Sequence, residues 1–119
     1  MALFCAIGLK IPDNEALTAA ATLRRLGVEV GRVERSLIGR IDSNDAAIFN
    51  PNKHALALLD ADEPRAGEVW IEERDGPADR FVGWRLYRAD GEPADRAMLE
   101  LAAQRLLCNP AIERARFPQ

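Results

Sequence analysis

The residues in this 119-residue chain best equipped for chemistry are few and scattered. The one histidine, His54, follows Lys53 in "NPNKH". If a helix starts there, its free amide groups and the lysine ammonium together suit an anion such as a phosphate. A solvated first helical turn is the plainer reading of the same residues. Gly39 and Arg40 in "SLIGRID" form a second candidate, since glycine lets a backbone approach a ligand and arginine forks onto phosphate or carboxylate. The plainer alternative is a β-bulge beside a solvated arginine. A lone histidine builds no zinc site, and Cys5 and Cys108 lack the spacing of a metal knuckle or redox pair, so no metal is expected. Glu72 and Glu73 are adjacent and in a strand point to opposite faces, so they cannot converge on one substrate atom. No GxGxxG or GxxxxGK[ST] loop is present. Neither a catalytic residue nor a cofactor emerges.

Composition narrows the partners. Sixteen basic against nineteen acidic residues leave a net charge of -3, which offers no attraction to nucleic acid or an anionic membrane. The strand faces also lack the paired aromatic residues that stack RNA bases. With 48% hydrophobic and 29% charged residues, positions 1–119 fit one domain with one core. No apolar run reaches the roughly 20 residues that span a bilayer. The opening "MALFCAIGLK" lacks a basic leader and runs into proline and acidic residues, so it reads as a strand and not a signal peptide. A cytoplasmic protein with protein or small-molecule partners is expected.

The elements that must position these residues follow from periodicity. Residues 2–9 alternate Leu3, Cys5, Ile7 and Leu9 with Phe4, Ala6 and Gly8; both sets are apolar, so both faces need cover. A helix follows, with Asp13 as N-cap, Ala16, Ala20, Leu23 and Leu26 as its apolar stripe, and Gly27 as its stop. Alternation from Val28 to Ile41 indicates a long second strand. Asn50 and Pro51 suit the start of a short helix through Leu59, although a buried strand through "HALALL" competes. "EVWIEER" and "RFVGWRLYR" form a hairpin. Val69 and Ile71 share one face with Val82, Trp84 and Leu86, which places Trp84 in the core. Trp70 and Tyr87 take the other face, as core or as interface anchors. A second helix is expected after Asp90-Gly91, with Pro93 in its first turn and Ala94, Met98, Leu101, Ala102 and Leu106 buried. Asn109, suited to a left-handed turn, and Pro110 then stop it before a last short strand.

This order gives an α+β fold: a ferredoxin-like two-layer sandwich, with a mainly antiparallel sheet and two helices on one face. Its bare reverse, carrying Phe4 and Ala6, would then be buried by a second copy, as a dimer or tetramer, with Trp70 and Tyr87 in the same interface.

The closing stretch "LELAAQRLLCNPAIERARF" resembles the carboxy-terminal signature of the PurS family, the small subunit of phosphoribosylformylglycinamidine synthase. The matching positions are Leu106, Leu107, Asn109, Pro110, Ile112 and Glu113. "GLK", Asp13, "LRRLG" and "IGR" are similar to the family's front half, while residues 43–78 have no counterpart and form an inserted or diverged segment. The resemblance implies a PurS-like sandwich. It also implies a non-catalytic subunit of purine biosynthesis that bridges a glutaminase and an ATP-dependent synthetase. Asp13, Gly39, Arg40, Asn109 and Pro110 become its ligand or partner contacts. A small-ligand-binding regulatory module of the same fold, with Lys53, His54 and Arg40 near an anion, is the alternative.

Overall fold

In the computed structural model, which describes residues 3–9, 13–41, 54–59, 63–76 and 80–118, the sequence signals become a six-stranded antiparallel sheet with two helices on one face. The elements run β1 (Leu3–Leu9), α1 (Asn14–Arg25), β2 (Val30–Ile41), β3 (His54–Leu58), β4 (Glu68–Glu73), β5 (Arg80–Arg88), α2 (Arg96–Ala102) and β6 (Glu113–Arg116). Their order in the sheet is β3-β1-β2-β5-β4-β6. The strand through "HALALL" is therefore the reading that holds for His54–Leu58, and the helix expected there is absent. Its alternation of histidine, alanine and leucine suits a strand edge-paired to β1, with His54 opposite Leu9. Asn50, Pro51 and Lys53 lie outside the described residues.

Asp13 caps α1: its Oδ1 accepts the Glu15 amide at 2.9 Å and the Ala16 amide at 3.3 Å. Ala16, Ala19, Ala20 and Leu23 are buried against the sheet, and the chain leaves through Gly27. β1 faces only the second half of β2, from Leu37 to Ile41; α1 continues in the direction of β1 over the first half. β1 and β2 are thus antiparallel neighbours, whereas a ferredoxin-like unit would place them parallel with a strand between. The second unit has that split form. β5 and β6 are both antiparallel to β4, which lies between them, so they run parallel and α2 connects them. The α+β class with an antiparallel sheet holds, and the ferredoxin-like expectation fails at β1-α1-β2.

A bulge occurs in β2, but at Gly31 and not at Gly39. The pairing with β5 shifts between Val30 and Arg32, then runs unbroken to Gly39. A Cβ at position 31 would lie 2.5 Å from the Arg88 carbonyl oxygen, so only glycine fits the extra residue.

The sheet's two faces carry separate cores. On the helix side, Ala20, Leu23, Val33, Val69, Leu86, Leu99, Ala102 and Leu107 pack together. On the reverse, Phe4, Ala6, Ile38, Leu59, Trp70 and Phe81 form a second cluster. Phe4 is 6% exposed and Trp70 0%, so the expected oligomer face through Phe4, Ala6 and Trp70 is already closed within one chain. Leu59, just past β3, takes part in that closure through its amide, which donates to the Phe4 carbonyl at 3.0 Å. Helix cover on one side does not leave the other bare when the chain supplies its own lid.

The second helix also starts later than expected. Asp95 is its cap, with Oδ1 accepting the Met98 amide at 2.9 Å. Pro93 lies upstream, bridging to Tyr87. From Ala103 to Leu107 the helix widens into a π turn, and the Cys108 amide reaches back to the Ala103 carbonyl at 3.0 Å. A π turn carries more residues per turn, so the face buried at Leu99 and Ala102 returns at Leu107 and not at Leu106. Leu106, expected in the core, is 40% exposed, and Met98 and Leu101 are only partly buried.

Candidate functional site

The π turn sets α2 apart from α1 and leaves a groove of about 430 Å³ between them. Asn14, Glu15, Thr18, Ala19 and Thr22 of α1 form one wall, Leu106 and Leu107 the other, with Trp84 of β5 as a further lining residue. Trp84 is half-buried here, not the core residue expected, because neither helix covers it fully. The groove is chiefly apolar. Among the described residues its one charged lining residue, Glu15, is ion-paired with Arg35, which also meets Asp13 Oδ2 at 3.1 Å. Arg105 is turned away from catalysis by its bond to the Leu26 carbonyl at 2.9 Å, which ties the π turn to the end of α1. This arrangement suits holding an apolar group.

Asp13 therefore serves the fold, with both carboxylate oxygens engaged inside the chain. Replacing it by alanine should cost about 1–2 kcal/mol, the usual loss for an N-cap. Asp13→Asn should cost less because an amide oxygen still caps. Thermal unfolding of the two variants tests the order.

The other sequence candidates do not assemble. Arg40 stands opposite Phe4 and His54 opposite Leu9, five residues apart on β1, so the two positions are roughly 17 Å apart along the strand. They cannot share one small anion. Lys53 is outside the described residues. Gly39 accepts a hydrogen bond from Cys5 Sγ at 3.4 Å through its carbonyl. Burial pushes the Cys108 thiol above its ordinary pKa and the nearby Glu113 carboxylate adds to this, which disfavours a reactive thiolate. Among the described residues, no group of three or more His, Cys, Asp or Glu side chains could hold a metal, and no helix is long and apolar enough to cross a membrane.

The Asn109-Pro110 turn is built from its own groups. Asn109 Oδ1 accepts the Ala111 amide at 3.1 Å, its amide donates to Glu113 Oε1 at 2.8 Å, and Arg74 Nε donates to the Pro110 carbonyl at 3.2 Å. Both residues are exposed. Tyr87 is half-buried, with the Arg32 guanidinium 4.3 Å and the Arg85 guanidinium 5.6 Å from its ring centre. Burial raises the Tyr87 pKa, and a hydrogen bond to Glu34 adds to it.

Two features were not anticipated from the sequence. One is the groove, since "AQRLL" has ordinary helical composition. The other is a buried carboxylate, Glu68, which is 0% exposed. Arg65 grips it with Nη2 at 2.7 Å, Nε at 3.2 Å and its backbone amide at 3.0 Å, while Trp70 Nε1 donates at 3.0 Å. With every donor of this set directed at one carboxylate, Glu68 is a structural anchor. Its only sequence signal is a glutamate directly ahead of the apolar run Val69–Ile71.

Comparison with protein-family models, with curated proteins and with solved structures finds no match.

Proposed function

We propose that this chain is a non-catalytic interaction subunit, and that it bridges glutaminase and ATP-dependent synthetase subunits in the manner of the PurS-like proteins its tail resembles. The observation that carries this reading is the groove in which half-buried Trp84 adjoins exposed Leu106, a residue of the resembling tail. Single exposed apolar residues are ordinary, but a tryptophan lining an apolar concavity is the kind of residue that anchors a bound partner. Ile112, 60% exposed, is a second apolar member of the same tail. The split β5-α2-β6 unit supports the sandwich expected of such a subunit, while β1-α1-β2 departs from it.

The test is co-purification of the full chain with candidate glutaminase and synthetase subunits. Leu106→Asp, at an exposed site, should fold normally and lose at least one of the two enzymes from the complex. Retention of both by Leu106→Asp and by Trp84→Ala, or capture of neither by the unaltered chain, would sink the reading.

A further inference from the structure

β6 is the last strand on its side of the sheet, and its outer edge meets no strand among the described residues. Hydrogen bonds within the sheet fix which of its groups face outward. The Arg74 amide donates to the Ile112 carbonyl at 2.8 Å, one step beyond the paired Glu73 and Glu113. Bonded and non-bonded pairs alternate in an antiparallel ladder, so Glu72-Arg114 is bonded and Ile71-Ala115 is not. The other side of β4 agrees: the Leu86 amide donates to the Gly67 carbonyl at 2.7 Å, which by the same alternation commits the Ile71 backbone to β5. The Ala115 amide and carbonyl therefore point away from the sheet, as do the Glu113 carbonyl and the Phe117 amide. The Glu113 amide, also on this side, is already engaged by the Asn109 carbonyl at 2.7 Å. What remains is a template for one more strand.

Side chains say which strand. Arg114 and Arg116 are exposed and lie on the face away from the helices, opposite Glu72 and Trp70. Glu72 stands 3.8 Å from Arg114, whereas Arg116 lies over the Phe81 ring at 4.9 Å and has no carboxylate partner among the described residues. Ala115 and Phe117 turn to the helix side, partly buried against its core. Glu113 shares that side, with its Oε1 accepting the Asn109 amide at 2.8 Å, so its charge is kept off the arginine face.

We propose that β6 takes an extended acidic segment of a partner protein as an added antiparallel strand, one in which Asp or Glu alternates with apolar residues. A central apolar residue pairs with Ala115 through two backbone hydrogen bonds, and the acidic residues on either side of it then stand opposite Arg114 and Arg116. Those are non-hydrogen-bonded positions of the new pairing, where opposed side chains come closest. The apolar residue extends the helix-side layer at Ala115 and Phe117. The arginines also reject other occupants. A second β6 centred on Ala115 would set Arg114 against Arg116 twice, and like charges directly opposite repel. A polyanion without a peptide backbone would meet the arginines and leave the outward amides unbonded. Main-chain bonds thus supply the docking, and charge supplies the choice.

The experiment titrates the full chain with a blocked heptapeptide of alternating glutamate and valine, and with a scrambled peptide of the same composition. The alternating peptide should bind, less tightly as salt rises. The Ala115 and Phe117 amides should gain protection from hydrogen exchange on binding, while the Arg114 amide, bonded to β4 already, should not change. Arg116→Glu should weaken binding by about tenfold or more, and Arg114→Glu by less, because Glu72 already shares that arginine. A peptide alternating lysine and valine should bind Arg116→Glu better than the unaltered chain. Ala115→Pro deletes the outward donor with both arginines in place, a change an edge strand accepts, and should also weaken binding. Circular dichroism checks that each variant is folded; should Ala115→Pro unfold, the arginine variants and the exchange pattern decide. No binding, equal binding of the scrambled peptide, arginine variants that bind fully, or protection that does not alternate along β6 would each overturn the proposal. Leu106→Asp should bind the peptide as the unaltered chain does, so failure at the groove and failure at this edge are read apart.

Discussion

Glu68→Ala should lower the unfolding free energy by about 3–5 kcal/mol, the cost of removing one partner from a buried ion pair. The change leaves the fully buried Trp70 indole N–H without its acceptor and the partly exposed Arg65 guanidinium without its carboxylate. That is a large share of the roughly 5–15 kcal/mol that holds a domain together. Urea unfolding measures it, and a loss below about 1 kcal/mol, the scale of a surface pair, would refute the anchoring role. Burial by itself pushes the Glu68 carboxyl up. The Arg65 hydrogen bonds and charge, with the Trp70 indole, outweigh it, and the net pKa lies below the ordinary value of 4.5. A carboxylate with a depressed folded pKa adds stability that is fully present above its unfolded pKa and is lost as pH falls through the folded one. Unfolding free energy should therefore fall more steeply with acidification in the unaltered chain than in Glu68→Gln, and the two curves should converge at low pH.

Trp70→Ala should cost a similar amount, about 3–5 kcal/mol, by removing a large buried ring. Its ring lies 4.9 Å from Phe81 and 5.6 Å from Phe4, centre to centre, and is the largest of the fully buried side chains. Because Trp70 also donates to Glu68, the Glu68→Ala/Trp70→Ala pair should lose less than the sum of the single changes. Additive losses would mean that the indole hydrogen bond contributes nothing. Gly83 belongs to the same anchor: a Cβ there would come within 2.9 Å of Ile38 Cγ1 and 3.1 Å of Glu68 Oε2. The same cluster changes the meaning of Phe4. A charge introduced at that position should unfold the monomer and not merely separate two copies.

Much of the framework was legible along the chain. Asp13 as a cap, the buried alanines and leucine of α1, the long β2, the β4-β5 hairpin and the stop at Asn109-Pro110 are all present. So is the parity of the hairpin, with Val69, Ile71 and Leu86 toward the helices and Trp70 away. Depth was not legible. Trp70 and Trp84 look alike in a list of alternating residues, yet one is sealed by Phe4, Phe81 and the Glu68 anchor while the other lies in a gap between helices. Nor did "AQRLL" announce a π turn, so Leu106, expected in the core, is exposed while Leu107 is buried.

Taken alone, the amino-acid order determined what neighbours in the chain decide: helix caps, turn stops, and which side of a strand each residue takes. These depend on hydrogen bonds and sterics spanning a few residues. What covers each face was decided only when distant segments met. β1 stops halfway along β2, Leu59 and the Arg65-Glu68 pair close the reverse of the sheet, and the widened end of α2 holds the groove open. Burial is a property of packing in three dimensions, and residues far apart in the chain supply both the lid and the gap.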